Sequence, residues 1–83
     1  MTVTHADLAA AGISTRRIEY WTRQGWIRTQ STIHPGSGVA RQWPHNEMLI
    51  ALTMVGLINA GFTAPAAASL ARTANETASG VSR

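Results

Sequence analysis

The chain has 83 residues, the size of one small domain, and it contains no cysteine, which excludes disulfide bonds, thiolate metal sites and thiol redox chemistry. Its formal net charge is +3, and five of its seven basic residues lie within residues 1–43, where the only acids are Asp7 and Glu19. In residues 44–83 two arginines balance two glutamates. This asymmetry favours a polyanionic partner, although arginines that simply face solvent are the alternative interpretation.

The first predicted helix begins after Thr4. Thr4 is a suitable N-cap, and Asp7, three residues later, completes a capping box. Val3 and Leu8 occupy the two positions of a hydrophobic staple. We expect this helix to end at Gly12.

The second predicted helix lies between Ser14, a good N-cap, and Gly25, which can close a helix in the left-handed conformation. At about 100° per residue, Ile18, Trp21 and Thr22 fall on one side of this helix. The opposite side presents guanidinium and phenol groups, which hydrogen-bond phosphates and base edges. Two helices joined by a short turn, the second with a basic outer side, form the helix-turn-helix pattern. The residues of that outer side are Arg16, Glu19, Tyr20 and Arg23.

A β-hairpin is predicted after the second helix. Polar and β-branched residues alternate over residues 27–33, residues 34–38 have turn chemistry, and residues 39–43 alternate again. A glycine-rich tip flanked by Arg28 and Arg41 is typical of a wing that contacts the sugar-phosphate backbone, and an ordinary solvent-exposed hairpin is the alternative. The side chains expected to attach the hairpin to the helices are Trp26, Ile27 and Trp43.

The third predicted helix opens with Pro44, because a proline in the first turn loses no intrahelical hydrogen bond. Residues 48–58 are nearly all apolar and leave no clean polar side. Either this helix lies at the centre of the domain, or it carries a second apolar side for a partner. The residues predicted to contact such a partner are Ile50, Met54, Leu57 and Ile58.

A fourth helix is predicted from its N-cap Thr63 through Arg72, after Gly61 ends the third. Residues 73–83 lack a hydrophobic period and are predicted to form a disordered tail, which leaves residues 1–72 as the domain. The predicted fold class is therefore mainly α with a small β-hairpin: a winged helix-turn-helix of about four helices plus a two-stranded wing.

The segment from Gly12 to Ile27, G-I-S-T-R-R-I-E-Y-W-T-R-Q-G-W-I, resembles the recognition segment of the MerR family, typically G-V-S-x-R-T-I-R-Y-Y-E-x-x-G-L-I. Residues 60–63, A-G-F-T, resemble the family's L-G-F-S helix junction, and Arg41-x-Trp43 resembles the R-x-Y that closes its wing. The resemblance covers roughly residues 4–72. Identical residues in the recognition segment are Gly12, Ser14, Arg16, Ile18, Tyr20 and Gly25.

This resemblance implies that the second helix enters the major groove and that a wing follows. Two positions depart from the family pattern: Glu19 stands where the family commonly has arginine, and Arg17 where it commonly has threonine. The long dimerisation helix and effector domain of full-length family members are not found in these residues, so we expect no small-molecule effector. The residues predicted to contact DNA are Ser14, Thr15, Arg16, Arg17, Glu19, Tyr20, Arg23, Arg28, His34 and Arg41.

Catalysis and metal binding are not expected. His5, His34 and His45 are the candidate acid–base or metal-binding groups, but none has another histidine three or four residues away. No nucleophile elbow, phosphate loop or zinc-protease motif is present in the sequence. We therefore predict that the protein is not an enzyme and needs no cofactor or metal.

A membrane protein is also not expected. A spanning helix needs about 20 consecutive apolar residues, and the apolar run is interrupted by Asn59, Gly61 and Pro65. The N-terminus lacks the basic and hydrophobic regions of a cleaved signal peptide, so a cytoplasmic location is predicted.

The sequence thus predicts a small regulator that binds double-stranded DNA sequence-specifically and controls transcription without an effector domain. One alternative is an excisionase-like architectural factor that directs DNA recombination, and another is a protein-interaction module that uses the apolar third helix. Because a single recognition helix covers few base pairs, we also expect a homo-oligomer or a cooperative assembly on DNA.

Overall fold

A computed structural model describes residues 2–30 and 42–81, while Met1, residues 31–41 and residues 82–83 lie outside this description. The prediction of a mainly helical fold with a small antiparallel two-stranded sheet is confirmed for the described residues. In chain order, the elements are β1 (Thr2–Thr4), α1 (His5–Ala10), α2 (Thr15–Gln24), β2 (Gln42–Pro44), α3 (His45–Asn59) and α4 (Ala64–Val81).

Helix α1 begins with the predicted capping box. The Asp7 amide donates to Thr4 Oγ1 at 3.2 Å, and the Thr4 amide donates to Asp7 Oδ2 at 2.9 Å. Val3 and Leu8, the two residues of the predicted staple, are both buried. These contacts satisfy two amides that the first turn leaves without helical partners, so the start of α1 is fixed by local sequence.

The small sheet differs from the predicted hairpin in its pairing. Strand β1 at the N-terminus pairs antiparallel with β2, placing Val3 opposite Trp43, and both side chains are buried. Residues 27–30 are not in a strand, although the Gln30 amide donates to the Gln42 carbonyl at 2.8 Å. The pattern missed β1 because three residues are too few for a periodic signal. The predicted turn at residues 34–38 lies outside the described residues, as do 31–33 and 39–41 of its strands.

Trp43 links the sheet to the second helix. Its indole is fully buried, and Nε1 donates to Thr22 Oγ1 at 3.3 Å. The Thr22 hydroxyl in turn donates to the Ile18 carbonyl at 2.6 Å. Ile27, which the sequence also predicted to pack on the helices, is buried, whereas Trp26 is only partly buried. The inner side of α2 is therefore held against β2 by both packing and hydrogen bonding.

Helix α3 lies at the centre of the fold, where it packs against α4 and both strands. It begins at His45, one position later than predicted, because Pro44 is its N-cap and the last residue of β2. Ile50 and Met54 are fully buried, which corrects their assignment to a partner surface. The reason is that α4 and the strands cover this side of α3, so both residues belong to the core. Of the other predicted partner residues, Leu57 and Ile58 are partly buried against the same core.

Helix α4 extends to Val81, beyond Arg72, whereas the sequence predicted a tail from Thr73. Its start agrees with the prediction, because Thr63 Oγ1 accepts from the Ala66 amide at 3.4 Å. Beyond the predicted end, an ion pair one turn apart joins Arg72 to Glu76 at 3.7 Å. Residues 73–81 contain few alanines and several poor helix formers, so the extension rests on propagation from the alanine-rich turns before Arg72 and on this ion pair. The alanines of α4 that are buried against the core are Ala67, Ala68 and Ala71.

Candidate nucleic-acid interface

Helix α2 divides into a buried side and an exposed side, as the sequence predicts. Ile18 and Trp21 are buried in the core. The exposed side, named here the outer face of α2, carries two guanidiniums, one carboxylate and one phenol. All four residues are exposed, and the exposed fraction of Tyr20 is 45%. The residues of the outer face of α2 are Arg16, Glu19, Tyr20 and Arg23.

Both ends of α2 are fixed by the predicted caps. Ser14 Oγ accepts from the Arg17 amide at 3.2 Å. At the other end Gly25 has a φ of 80°, in the left-handed region that glycine adopts without steric cost. The Gly25 amide donates to the Thr22 carbonyl and the Trp26 amide to the Trp21 carbonyl, at 3.1 and 2.9 Å, which is the pairing of a Schellman motif. The outer face thus belongs to a helix whose first and last turns are held in place.

Aromatic contacts position the side chains at the border of the outer face. The Arg17 guanidinium carbon lies 5.7 Å from the centroid of the Trp21 ring, a cation–π contact. This contact holds Arg17, which is half-buried, at the flank of the helix. The Tyr20 and Trp26 rings meet edge-to-face with their centroids 5.6 Å apart. The contact with Trp26 thereby restrains the Tyr20 side chain, much of which stays exposed.

A buried ion pair lies beneath the end of α2. Glu47 of α3 is 7% exposed, and its Oε1 accepts from Arg72 Nη2 at 2.6 Å and from the Arg28 amide at 2.8 Å. Arg72 Nη2 also donates to the Trp26 carbonyl at 2.9 Å. Hydrogen bonding to Glu47 raises the pKa of the Arg72 guanidinium above its ordinary value, against the opposing effect of burial. This cluster joins α3, α4 and the segment that leaves α2.

Sequence reasoning missed this cluster. It counted their charges in the balance of residues 44–83 and gave neither Glu47 nor Arg72 a partner. A signal was nevertheless present, because Glu47 precedes a nearly all-apolar run and Arg72 is the only arginine or lysine between residues 44 and 82. A lone acid and a lone base on two helices that must pack together are most stable when they pair.

The structure brings most of the predicted DNA-contacting residues together. One open depression on the protein surface is lined by the outer face of α2 with Thr15 and Arg17. Ser14 lies at the start of the same helix, and Arg28 is exposed on the segment that follows α2, beside α4. His34 and Arg41 lie outside the described residues. Since Arg72 is paired with Glu47, the exposed guanidiniums of the described residues are concentrated on and near α2.

The side of α3 that points away from the core carries two large apolar side chains among polar residues such as Asn46 and Asn59. Leu49 and Leu52 are 40% and 37% exposed, and Gly56 is exposed one turn further on. These three residues are named here the outer face of α3. The exposed apolar side chains of α3 are therefore those of Leu49 and Leu52 and not those of Ile50 and Met54.

No protein-family model matches this chain, and no curated protein or solved structure matches it at a significant level. Among the described residues, no helix is both long and apolar enough to cross a membrane. The arrangement of α2 is therefore the principal basis for assigning a function.

Proposed function

We propose that this protein is a MerR-like winged helix-turn-helix protein that binds double-stranded DNA through the outer face of α2 and regulates transcription. One observation carries the proposal: Ile18 and Trp21 attach α2 to the core while Arg16, Tyr20 and Arg23 are exposed on the opposite side. The resemblance of residues 12–27 to the MerR recognition segment supports the same assignment.

The dimensions of α2 suit the major groove. Its 10 residues give a length of about 15 Å, and the groove admits one α-helix. Along DNA this length corresponds to about four base pairs, because successive base pairs are separated by 3.4 Å. Arg16, close to the start of the helix, and Arg23, near its end, would contact base edges or phosphates, and the Tyr20 hydroxyl would donate to phosphate.

Arg17 and Arg28 have a different role in this proposal. Arg17 lies at the flank of α2 over the Trp21 ring, and Arg28 lies on the segment after the helix. Both are placed to meet the backbone rather than base edges, so they would supply affinity that does not depend on sequence. His34 and Arg41 remain predicted wing contacts.

The proposal includes a second copy of the chain. A site of about four base pairs gives few phosphate contacts, so one protomer alone would bind weakly at physiological salt. The outer face of α3 presents Leu49 and Leu52 to solvent, and a second protomer bound there would cover both side chains. Two recognition helices would then contact one duplex.

An NMR titration tests where DNA binds. A short random-sequence duplex is added to ¹⁵N-labelled protein, and the amide shifts are followed residue by residue. The proposal expects the largest changes at Thr15–Gln24, with α4 little affected. Changes confined to the outer face of α3 would overturn the assignment of α2 as the DNA-binding helix, and no changes with a folded protein would overturn the DNA proposal and favour a protein-interaction module instead.

A further inference from the structure

Glu19 is the one acid within helix α2, and it lies on the outer face between two arginines. Arg16 precedes it by three residues and Arg23 follows it by four, the spacings at which helical side chains are neighbours. All three side chains line the same surface depression. A carboxylate therefore occupies the middle of the surface proposed to enter the groove.

Within the part of the chain that the structure describes, no basic side chain pairs with the Glu19 carboxylate. Across residues 2–30 and 42–81, the ion pairs are those that Arg72 makes with Glu47 and Glu76. Glu19 is exposed and forms none with Arg16 or Arg23, although both are within reach by their spacing. With respect to these two arginines, its oxygens thus stay available as hydrogen-bond acceptors for a ligand.

An ionised carboxylate can only accept hydrogen bonds. Phosphate oxygens offer it no donor and repel it, so this side chain favours a base edge over the backbone. In the major groove, guanine and thymine present acceptors, and the donors are cytosine N4 and adenine N6. Adenine N6 lies beside the N7 acceptor, which also repels a carboxylate, so cytosine is the best match.

We infer that Glu19 is a specificity-determining residue that selects a cytosine in the major groove, an assignment that rests on the proposed DNA-binding function. The flanking guanidiniums supply attraction to the duplex, and Glu19 restricts which sequences benefit from it. On a mismatched site its carboxylate faces an acceptor or a phosphate without a bonding partner. Glu19 consequently weakens binding to random DNA while it strengthens discrimination.

Selection from a random duplex library tests this inference, with wild type and Glu19→Gln compared under the same conditions. The matched control is Glu76→Gln, which removes the same charge from an exposed residue of α4. We expect wild type and the control to enrich sites with one fixed C·G pair. The preference for cytosine at that pair should be about 5- to 150-fold smaller for Glu19→Gln than for wild type. The variant should bind random duplex at least as tightly as wild type.

The outcomes separate this inference from the proposed function. If Glu19→Gln binds DNA with the wild-type base preference at every position, the inference about Glu19 is overturned and the DNA-binding proposal stands. Enrichment by wild type of sites that lack a fixed cytosine would also overturn that role and leave DNA binding intact. A folded wild-type protein that binds no duplex would overturn the proposed function, and the inference with it.

Discussion

Arg72 and Glu47 form a bidentate ion pair across the α3–α4 interface, with Nη2–Oε1 and Nη1–Oε2 distances of 2.6 and 3.2 Å. The side chains are only 17% and 9% exposed, so both charges are largely removed from water. The same carboxylate accepts from the Arg28 amide, and the same guanidinium donates to the Trp26 carbonyl. The pair therefore fixes the position at which the chain leaves α2.

Replacing Arg72 with methionine should destabilise the protein by about 3–5 kcal/mol, because the Glu47 carboxylate would stay buried without its partner. The free energy of unfolding from urea denaturation measures this loss. The double variant Arg72→Met, Glu47→Met is the control, and it should recover most of the stability, since apolar replacements of a buried pair are well tolerated. A loss below about 1 kcal/mol for Arg72→Met would show that the pair behaves like an exposed one.

The contribution of Arg72 should not vary with pH in the neutral range. Its pKa is raised in the folded state, chiefly by the hydrogen bonds to Glu47. A group with a raised pKa contributes fully below its unfolded pKa and loses the contribution only as pH rises through the folded value, which for arginine is strongly alkaline. The difference in unfolding free energy between wild type and the double variant Arg72→Met, Glu47→Met, which leaves no unpaired buried carboxylate, should thus be flat from about pH 6 to about pH 9.

Gly25→Ala should destabilise the protein by about 1–2 kcal/mol, because an alanine at a φ of 80° meets the steric penalty of the left-handed region. The matched control is Gly56→Ala. Gly56 lies inside α3 with no heavy atom within 4 Å of an added Cβ, so alanine there should stabilise by about 0.5–1 kcal/mol. Thermal unfolding of the two variants should give midpoint shifts of opposite sign, and shifts of the same sign would contradict the cap.

Thr22→Val should cost about 1–3 kcal/mol, because the buried Trp43 indole N–H would lose its acceptor. Thr22→Ser keeps the hydroxyl and removes one methyl group, so its cost should be about 0.8 kcal/mol. Urea denaturation of both variants compares the two effects. If the Thr22→Val and Thr22→Ser proteins had the same free energy of unfolding, the hydrogen bond between β2 and α2 would contribute nothing to stability.

The local parts of this fold were predictable from sequence, and the long-range parts were not. The caps at Thr4, Ser14 and Gly25 involve residues within one turn of each other, so the spacing of residue types reveals them. The pairing of β1 with β2 joins residues about forty positions apart, and Glu47–Arg72 joins residues 25 positions apart. Such contacts depend on how the helices pack, which no local pattern encodes.

Two predictions about α3 and α4 were wrong: the partner role of Ile50 and Met54, and the end of α4. The apolar composition of α3 left two alternatives, a central helix or a second apolar side, and could not indicate which side α4 covers, so Ile50 and Met54 were assigned to a partner surface although they are buried in the core. The extension of α4 beyond Arg72 rests on a helix already formed by its alanine-rich first turns and on the Arg72–Glu76 pair, neither of which a search for hydrophobic periodicity detects.

Self-association is tested by Leu52→Glu, which puts a charge in the outer face of α3. Wild type should show a concentration-dependent increase in mass by sedimentation velocity, alone or on a long duplex, and the variant should remain monomeric. The control is Leu70→Glu, since Leu70 is similarly exposed but lies on α4, and it should associate like wild type. A strictly monomeric wild type, both free and on DNA, would contradict the proposed second copy.

The central claim, that α2 binds DNA, is tested most directly by measuring affinity for a random-sequence duplex from about 50 to about 200 mM salt. Wild type is compared with Arg16→Ala and with Arg83→Ala, a control that makes the same change in net charge at the last residue of the chain. We predict salt-sensitive binding by wild type and by the control, and weaker binding by Arg16→Ala. If Arg16 contacts a phosphate, the salt slope of that variant should be smaller by roughly one. Failure of the folded wild-type protein to bind at the lowest salt, or identical binding by all three proteins, would contradict the claim.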